Sequence, residues 1–131
     1  MKQNVIWWPA VKNKDHSDKY GNFDYFEYSR KTWEYWCKKN DVLFVPFEEP
    51  VEQDLYEYRI NWQKAIFVFD ELERRGIEYD QIALVDSTVM VKWDCPNFFE
   101  ETEHKYCGVM NDGCYEWVTR SIRDFNRELF P

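Results

Sequence analysis

Asp86 follows the apolar run Ile82-Ala83-Leu84-Val85 and precedes Ser87-Thr88-Val89-Met90-Val91. A carboxylate at the carboxyl end of a buried strand sits where α/β proteins place metal and phosphate chemistry. Residues i and i+2 of an extended segment point to the same side, so Asp86 and Thr88 can share one ligand. A hard divalent cation takes carboxylate and phosphate oxygens. Asp86 brings one charge to such a site, and Thr88 brings a neutral hydroxyl. The plainer alternative is a strand-end aspartate that starts a turn.

Other chemistry-bearing residues carry similar pairs of readings. Lys64, in Trp62-Gln63-Lys64, opens a helix ahead of the Asp86 strand and can aim at a phosphate or a sugar hydroxyl; it can equally be a solvated lysine. Lys12, Lys14, Lys19 and His16 form a basic cluster that either meets a pyrophosphate or stays in water. Asp112 lies between a strand and the last helix, where it either faces a ligand as a catalytic carboxylate or caps the helix. His104, in an acidic stretch, is expected at the surface. Cys37, Cys95, Cys107 and Cys114 contain no CxxC pair and are expected as reduced, partly buried thiols. A zinc site from Cys95, His104, Cys107 and Cys114 would be poorly spaced. Trp7, Trp8, Tyr20 and Trp93 are expected mostly in the core, with one aromatic available to stack on a base or sugar.

The elements that must position these groups belong to a chain of 131 residues, the length of one compact domain, taken as residues 1–131. Hydrophobic residues make up 44%, enough for a core despite 32% charge. The net charge of -8 argues against a duplex nucleic-acid binder, which needs a basic face. It leaves room for a phosphorylated ligand held by local cations or a metal. Met1-Lys2-Gln3-Asn4 leads straight into a short apolar run, so no signal peptide is expected. Nothing has the length of a membrane span, and a cytoplasmic location is the default.

Val5-Ile6-Trp7-Trp8, ended by Pro9, reads as a first strand, and residues 12–22 read as a loop. Phe26, Trp33, Trp36 and Cys37 recur at near-helical spacing, with Ser29 available as a cap and Lys38-Lys39-Asn40 suited to the C-terminus. Val42-Leu43-Phe44-Val45 is a second strand, stopped by Pro46. After an acidic connector over 48–57, one helix is predicted from about Ile60 to Arg75. Its apolar face is Ala65, Val68, Phe69 and Leu72, and Gly76 is its C-cap. The Asp86 strand follows, then a turn at Asp94-Cys95-Pro96-Asn97. A strand is predicted over 106–110, a turn at Asn111-Asp112-Gly113, and a last helix bearing Val118, Ile122, Phe125 and Leu129. This order indicates an α/β protein with a mainly parallel sheet covered by helices on both faces. Ligands bind such sheets beyond the carboxyl ends of the strands, where the loops 9–22, 46–57 and 86–88 would meet.

Two stretches add a family resemblance. Asn61-Trp62-Gln63-Lys64-Ala65-Ile66, taken with Tyr79-Asp80-Gln81-Ile82-Ala83-Leu84-Val85-Asp86-Ser87-Thr88-Val89-Met90-Val91, resembles the nucleotide-sugar half of GT-A-fold glycosyltransferases. There, a helix carrying Lys or Arg precedes a strand ending in a DxD motif. Tyr106-Cys107-Gly108-Val109-Met110-Asn111 is similar to that superfamily's later Gly-Val-Met strand, and the compact chain resembles small phage-encoded members. The resemblance implies a truncated GT-A fold with a Rossmann-like sheet. It also implies a metal-dependent hexosyltransferase acting on a nucleoside-diphosphate sugar, a UDP-sugar by family frequency, with an unspecified acceptor. It sets Pro9, Ala10 and Val11 against the nucleoside and Lys64 at the donor sugar or phosphate, with Lys14 and Ser87 in the same binding set. Asp86 and Thr88 would hold Mn²⁺ or Mg²⁺ against the diphosphate. Asp112 falls near the position of an inverting base.

Two departures accompany it. The second motif position is Thr88 rather than a carboxylate, and the chain stops one helix after the Gly108 strand, where family members continue into an acceptor region. The alternatives are a transferase completed by homo-oligomerisation, a hydrolytic or non-catalytic sugar-nucleotide binder, and a haloacid-dehalogenase-like phosphatase. The last rests on the likeness of Asp-x-Thr-Val to that family's nucleophile motif, which normally ends the first strand.

Overall fold

The computed structural model describes residues 2–12, 21–55, 57–108 and 116. Their order is β1 (Gln3–Pro9), α1 (Asp24–Asn40), β2 (Leu43–Phe47), α2 (Ile60–Ile66), α3 (Val68–Arg74), β3 (Tyr79–Leu84) and α4 (Phe99–Thr102). The strands form a parallel three-stranded sheet in the order β2-β1-β3. The protein is therefore α/β, with the earliest strand at the centre.

β1 is buried from Val5 to Pro9. Alternate residues of a strand point to opposite sides, and β1 divides its side chains accordingly. Ile6 and Trp8 join Phe26, Trp33, Trp36 and Cys37 of α1 in one core cluster. Val5 and Trp7 join Val45, Phe47, Val68 and Leu72 in another. Each fully buried aliphatic side chain of this kind contributes roughly 1.5–3 kcal/mol. The expectation that Trp7 and Trp8 are core holds; Trp93 is instead 69% exposed.

The flanking strands depart from expectation in two ways. β2 runs through Pro46 to Phe47, with Pro46 opposite Trp8. Among the described residues β2 pairs on one side alone, and a proline on such an edge removes no ladder hydrogen bond. β3 is half-buried rather than fully buried, and Leu84 is 51% exposed, because β3 too has β1 as its one described neighbour.

Ser29 does not cap α1 but lies inside it, fully buried. The N-cap is Phe23, which makes no side-chain cap bond; nearby, the Asp24 N–H donates to Asn22 Oδ1 at 3.2 Å. At the other end Asp41 adopts the left-handed conformation, and Lys38 and Lys39 occupy the last turn, where cations complement the helix dipole.

The helix predicted over about 60–75 is bent at Phe67 into α2 and α3. Backbone bonds from Phe67 N–H to the Gln63 carbonyl and from Glu71 N–H to the Phe67 carbonyl carry across the bend. Val68 and Leu72 of the predicted apolar face are buried as expected, whereas Ala65 and Phe69 are exposed. Gly76 ends α3 as expected, at φ 66°. Its N–H bonds the Glu73 carbonyl and the Ile77 N–H bonds the Leu72 carbonyl, the paired bonds of a Schellman motif.

Residues 106–108 are not strand, and Tyr106 is fully exposed, contrary to the strand predicted there. The remainder of that prediction, the Asn111-Asp112-Gly113 turn and most of the last helix lie outside the described residues; Glu116 is helical. Among the described residues, no helix is long and apolar enough to cross a membrane.

Candidate functional site

β1 has β2 on one side and β3 on the other, so the strand order reverses at β1. That is where a crevice opens beyond the carboxyl ends of parallel strands. A cleft of about 460 Å³ lies there. Pro9 and Val11 line it from the end of β1, and Asp86, Ser87 and Thr88 from the end of β3. Arg59, Ile60, Asn61 and Lys64 line it from the start of α2, and Phe23, Tyr25 and Phe26 from the start of α1. Two strand ends and two helix starts, far apart in sequence, thus converge on one opening.

Lys64 and Asp86, 22 residues apart, meet across the cleft: Lys64 Nζ donates to Asp86 Oδ2 at 3.2 Å. Both side chains are partly exposed, so the pair stabilises the fold by about 1 kcal/mol at most. Its importance is placement, since it sets a cation and an anion side by side at the mouth. Asp86 also starts a turn. Its Oδ1 accepts long bonds of 3.4 Å from Ser87 Oγ and the Thr88 N–H, and the Val89 N–H donates to its carbonyl. The turn and the ion pair coexist in one residue.

Two sets of buried polar contacts hold the walls. On the α1 side, Ser29 Oγ accepts from Trp8 Nε1 and donates to the Val89 carbonyl, which also accepts from Trp33 Nε1. Trp36 Nε1 donates to the Cys95 carbonyl, and the Val91 N–H donates to Thr32 Oγ1. These bonds fix the irregular segment that carries Asp86, Ser87 and Thr88. On the α2 side, buried Gln63 accepts from the N–H groups of Val51 and Glu52 and donates to the carbonyls of Glu52 and Tyr58. Trp7 Nε1 donates to the Lys64 carbonyl at 2.8 Å, tying the lysine's backbone to β1.

The electrostatics reflect this closeness. Burial raises the Tyr25 hydroxyl above its ordinary value, and the negative charge of Asp86 raises it further. The Tyr25 ring packs edge-on against Phe26, with ring centroids 4.8 Å apart, and Phe23 lies 5.0 Å from Phe26, so the mouth has an aromatic wall.

Of the residues singled out by sequence, Pro9, Val11, Lys64, Asp86, Ser87 and Thr88 line the cleft together. Ala10 is buried in the core, its N–H bonded to the Phe47 carbonyl, and does not line it. Lys12 is exposed; Lys14, His16, Lys19 and Asp112 lie outside the described residues. His104 is exposed beside Asp80, 3.0 Å away. Cys37 is buried, Cys95 half-buried and Cys107 exposed, all as free thiols, and Cys114 is outside the described residues. Sequence reasoning missed Arg59, Asn61, Tyr25 and Gln63. Arg59 and Asn61 lie just before the Trp62-Gln63-Lys64 run, so the same helix-start argument reaches them. Gln63 carried no signal, because a glutamine inside a helix reads as a surface residue.

A divalent metal fits these donors poorly. Asp86 is the one described carboxylate that lines the cleft, its Oδ2 is held by Lys64, and Thr88 adds a neutral oxygen. Among the described residues no three His, Cys, Asp or Glu side chains come together as a metal-binding group. Comparison of the chain with protein-family models, curated proteins and solved structures finds no match.

Proposed function

We propose that the cleft binds a nucleoside-diphosphate sugar, a UDP-sugar in the first instance. On this reading the chain is the donor-binding part of a GT-A-like glycosyltransferase, and its three parallel strands belong to a Rossmann-like sheet covered on both faces. The observation that carries the reading is the convergence of Lys64 and Asp86 at the carboxyl ends of β1 and β3, beside an aromatic wall. Aromatic rings suit a base or sugar face, and a lysine beside the cleft suits phosphate.

Transfer breaks the bond between the anomeric carbon and the phosphate oxygen. The electron pair leaves on the nucleoside diphosphate, and an acceptor hydroxyl oxygen forms the new bond as it loses its proton. On this reading Lys64 offsets charge on the leaving diphosphate. Asp112 is the residue we assign to the acceptor's proton, on the family resemblance alone.

One observation favours a second reading, a module that binds or hydrolyses the donor without transferring it. The single described carboxylate of the cleft is occupied by Lys64, which leaves no general base among the described lining residues. A phosphatase using Asp86 as nucleophile is less well supported, because Asp86 follows the third strand in chain order.

Calorimetric titration with a panel of sugar nucleotides tests the binding. We expect one of them to bind the native protein and to lose about tenfold or more in affinity to Lys64→Met, as for a lost charge-assisted bond. Product analysis with candidate acceptors then separates transfer from hydrolysis. Failure of the whole panel to bind, or release of phosphate from simple phosphate monoesters dependent on Asp86, would overturn the reading.

A further inference from the structure

The charges around the cleft point to how a diphosphate would be held, an inference that rests on the donor-cleft reading above. We propose that Lys64 and Arg59 neutralise the diphosphate directly, and that binding needs no divalent cation on Asp86 and Thr88. Three observations carry this.

The first is the donor set. A magnesium or manganese site usually draws on one or two carboxylates together with phosphate oxygens. Here the one described carboxylate of the cleft already has a partner, Lys64 Nζ at 3.2 Å from Oδ2. The other oxygen, Oδ1, faces Ser87 Oγ and the Thr88 N–H. A metal would have to displace the lysine and would gain a neutral threonine oxygen in return.

The second is Arg59. It precedes α2, where its carbonyl accepts from the N–H groups of Trp62 and Gln63, and the residue is exposed and lines the cleft. In a chain of net charge -8, the other three described arginines meet carboxylates: Arg30 meets Glu34 and Glu48, and Arg74 and Arg75 both meet Glu71. Arg59 forms no ion pair among the described residues. A guanidinium left available at a cleft is the group best shaped for two phosphate oxygens at once.

The third is how the two cations are held. The Lys64 backbone is fastened by the Trp7 indole, and the segment between Arg59 and Lys64 is fastened by Gln63. Asp86 acts here as a positioning residue, keeping the lysine ammonium at the mouth until phosphate competes for it.

The test is titration of native protein with UDP, GDP, ADP, CDP and dTDP, each in excess EDTA and in excess Mn²⁺. We expect at least one nucleoside diphosphate to bind equally well, within about threefold, in both conditions. Arg59→Met and Lys64→Met should each weaken it by about tenfold or more in EDTA, and salt should weaken the native complex. Asp86→Asn should retain binding in EDTA. Circular dichroism of each variant checks that it is folded, and the EDTA comparison on native protein needs no variant. Binding that requires Mn²⁺, and loses that requirement together with its affinity in Asp86→Asn, would overturn this proposal and leave the donor-cleft reading standing. No binding of any nucleoside diphosphate in either condition would overturn both.

Discussion

The two walls of the cleft are fixed by opposite strategies. The wall after β3 is irregular backbone held by many donors and acceptors spread along α1: Ser29, Thr32, Trp33 and Trp36 each make one bond or more to the segment from Val89 to Cys95. The wall before α2 is also irregular backbone, but among the described residues one side chain of α2, the amide of Gln63, ties it to that helix, through four bonds to Val51, Glu52 and Tyr58. A distributed clamp loses a fraction of its hold with any one substitution. A concentrated clamp leaves several backbone groups unpaired at once. Lys64 and Arg59 sit on the concentrated side and Asp86 on the distributed side, so the site joins a robust half to a fragile one.

The largest effect should therefore come from Gln63→Leu. Each buried polar group left without a partner costs about 1–3 kcal/mol, and partial access to water reduces the total here to about 2–4 kcal/mol. Urea denaturation of native and variant protein measures it, and nucleotide affinity should fall with it. Trp36→Phe, which keeps most of the packing but orphans the Cys95 carbonyl, should cost about 1–2 kcal/mol. A larger loss in Trp36→Phe than in Gln63→Leu would break the contrast.

A smaller effect sharpens the fragile side. Glu71 anchors the end of α3 to both Arg74 and Arg75, and Arg75 donates onward to the Pro46 carbonyl. The hydrogen bond from Arg74 is the main reason its carboxyl is held below the ordinary value of 4.5. Its pKa is depressed by folding, so this stabilisation is full above the unfolded value and is lost as pH falls through the folded one. Glu71→Gln should lower stability by about 1 kcal/mol at neutral pH. It should also flatten the stability profile below the unfolded value, a difference read from denaturant midpoints across pH.

The smallest effect reports on the robust side. Burial pushes the Cys37 thiol up to about 12, with the Glu34 carboxylate adding to the rise. Among the described cysteines, alkylation should therefore reach Cys107 first, Cys95 later, and Cys37 after unfolding. Loss of the Trp36 anchor should speed labelling of Cys95 and leave Cys37 protected. Mass spectrometry of the labelled peptides resolves the three.

The same contrast explains what the sequence disclosed. β1, α1 and the Asp86 strand are legible because their apolar residues recur at the periods that strands and helices impose, and Gly76 announced the end of α3. The placement of Lys64 and Asp86 at one site is legible as a sequence pattern, but their 3.2 Å contact is not, and the break between α2 and α3 has no proline or glycine to mark it. The Gln63 clamp is illegible for a related reason: its value lies in backbone groups of a connector whose path only the folded chain defines. Edge exposure of β3 and continuation of β2 through Pro46 follow from strand order, which periodicity does not encode.

On the proposed reading, a sugar nucleotide binds in the Lys64–Asp86 cleft. Amide chemical-shift mapping with UDP-glucose in EDTA tests it most directly. We expect saturable shifts at Val11, Tyr25, Asn61, Lys64 and Ser87, and their loss in Lys64→Met. Saturable shifts clustered away from these residues, or none at any concentration of the ligand, would contradict it.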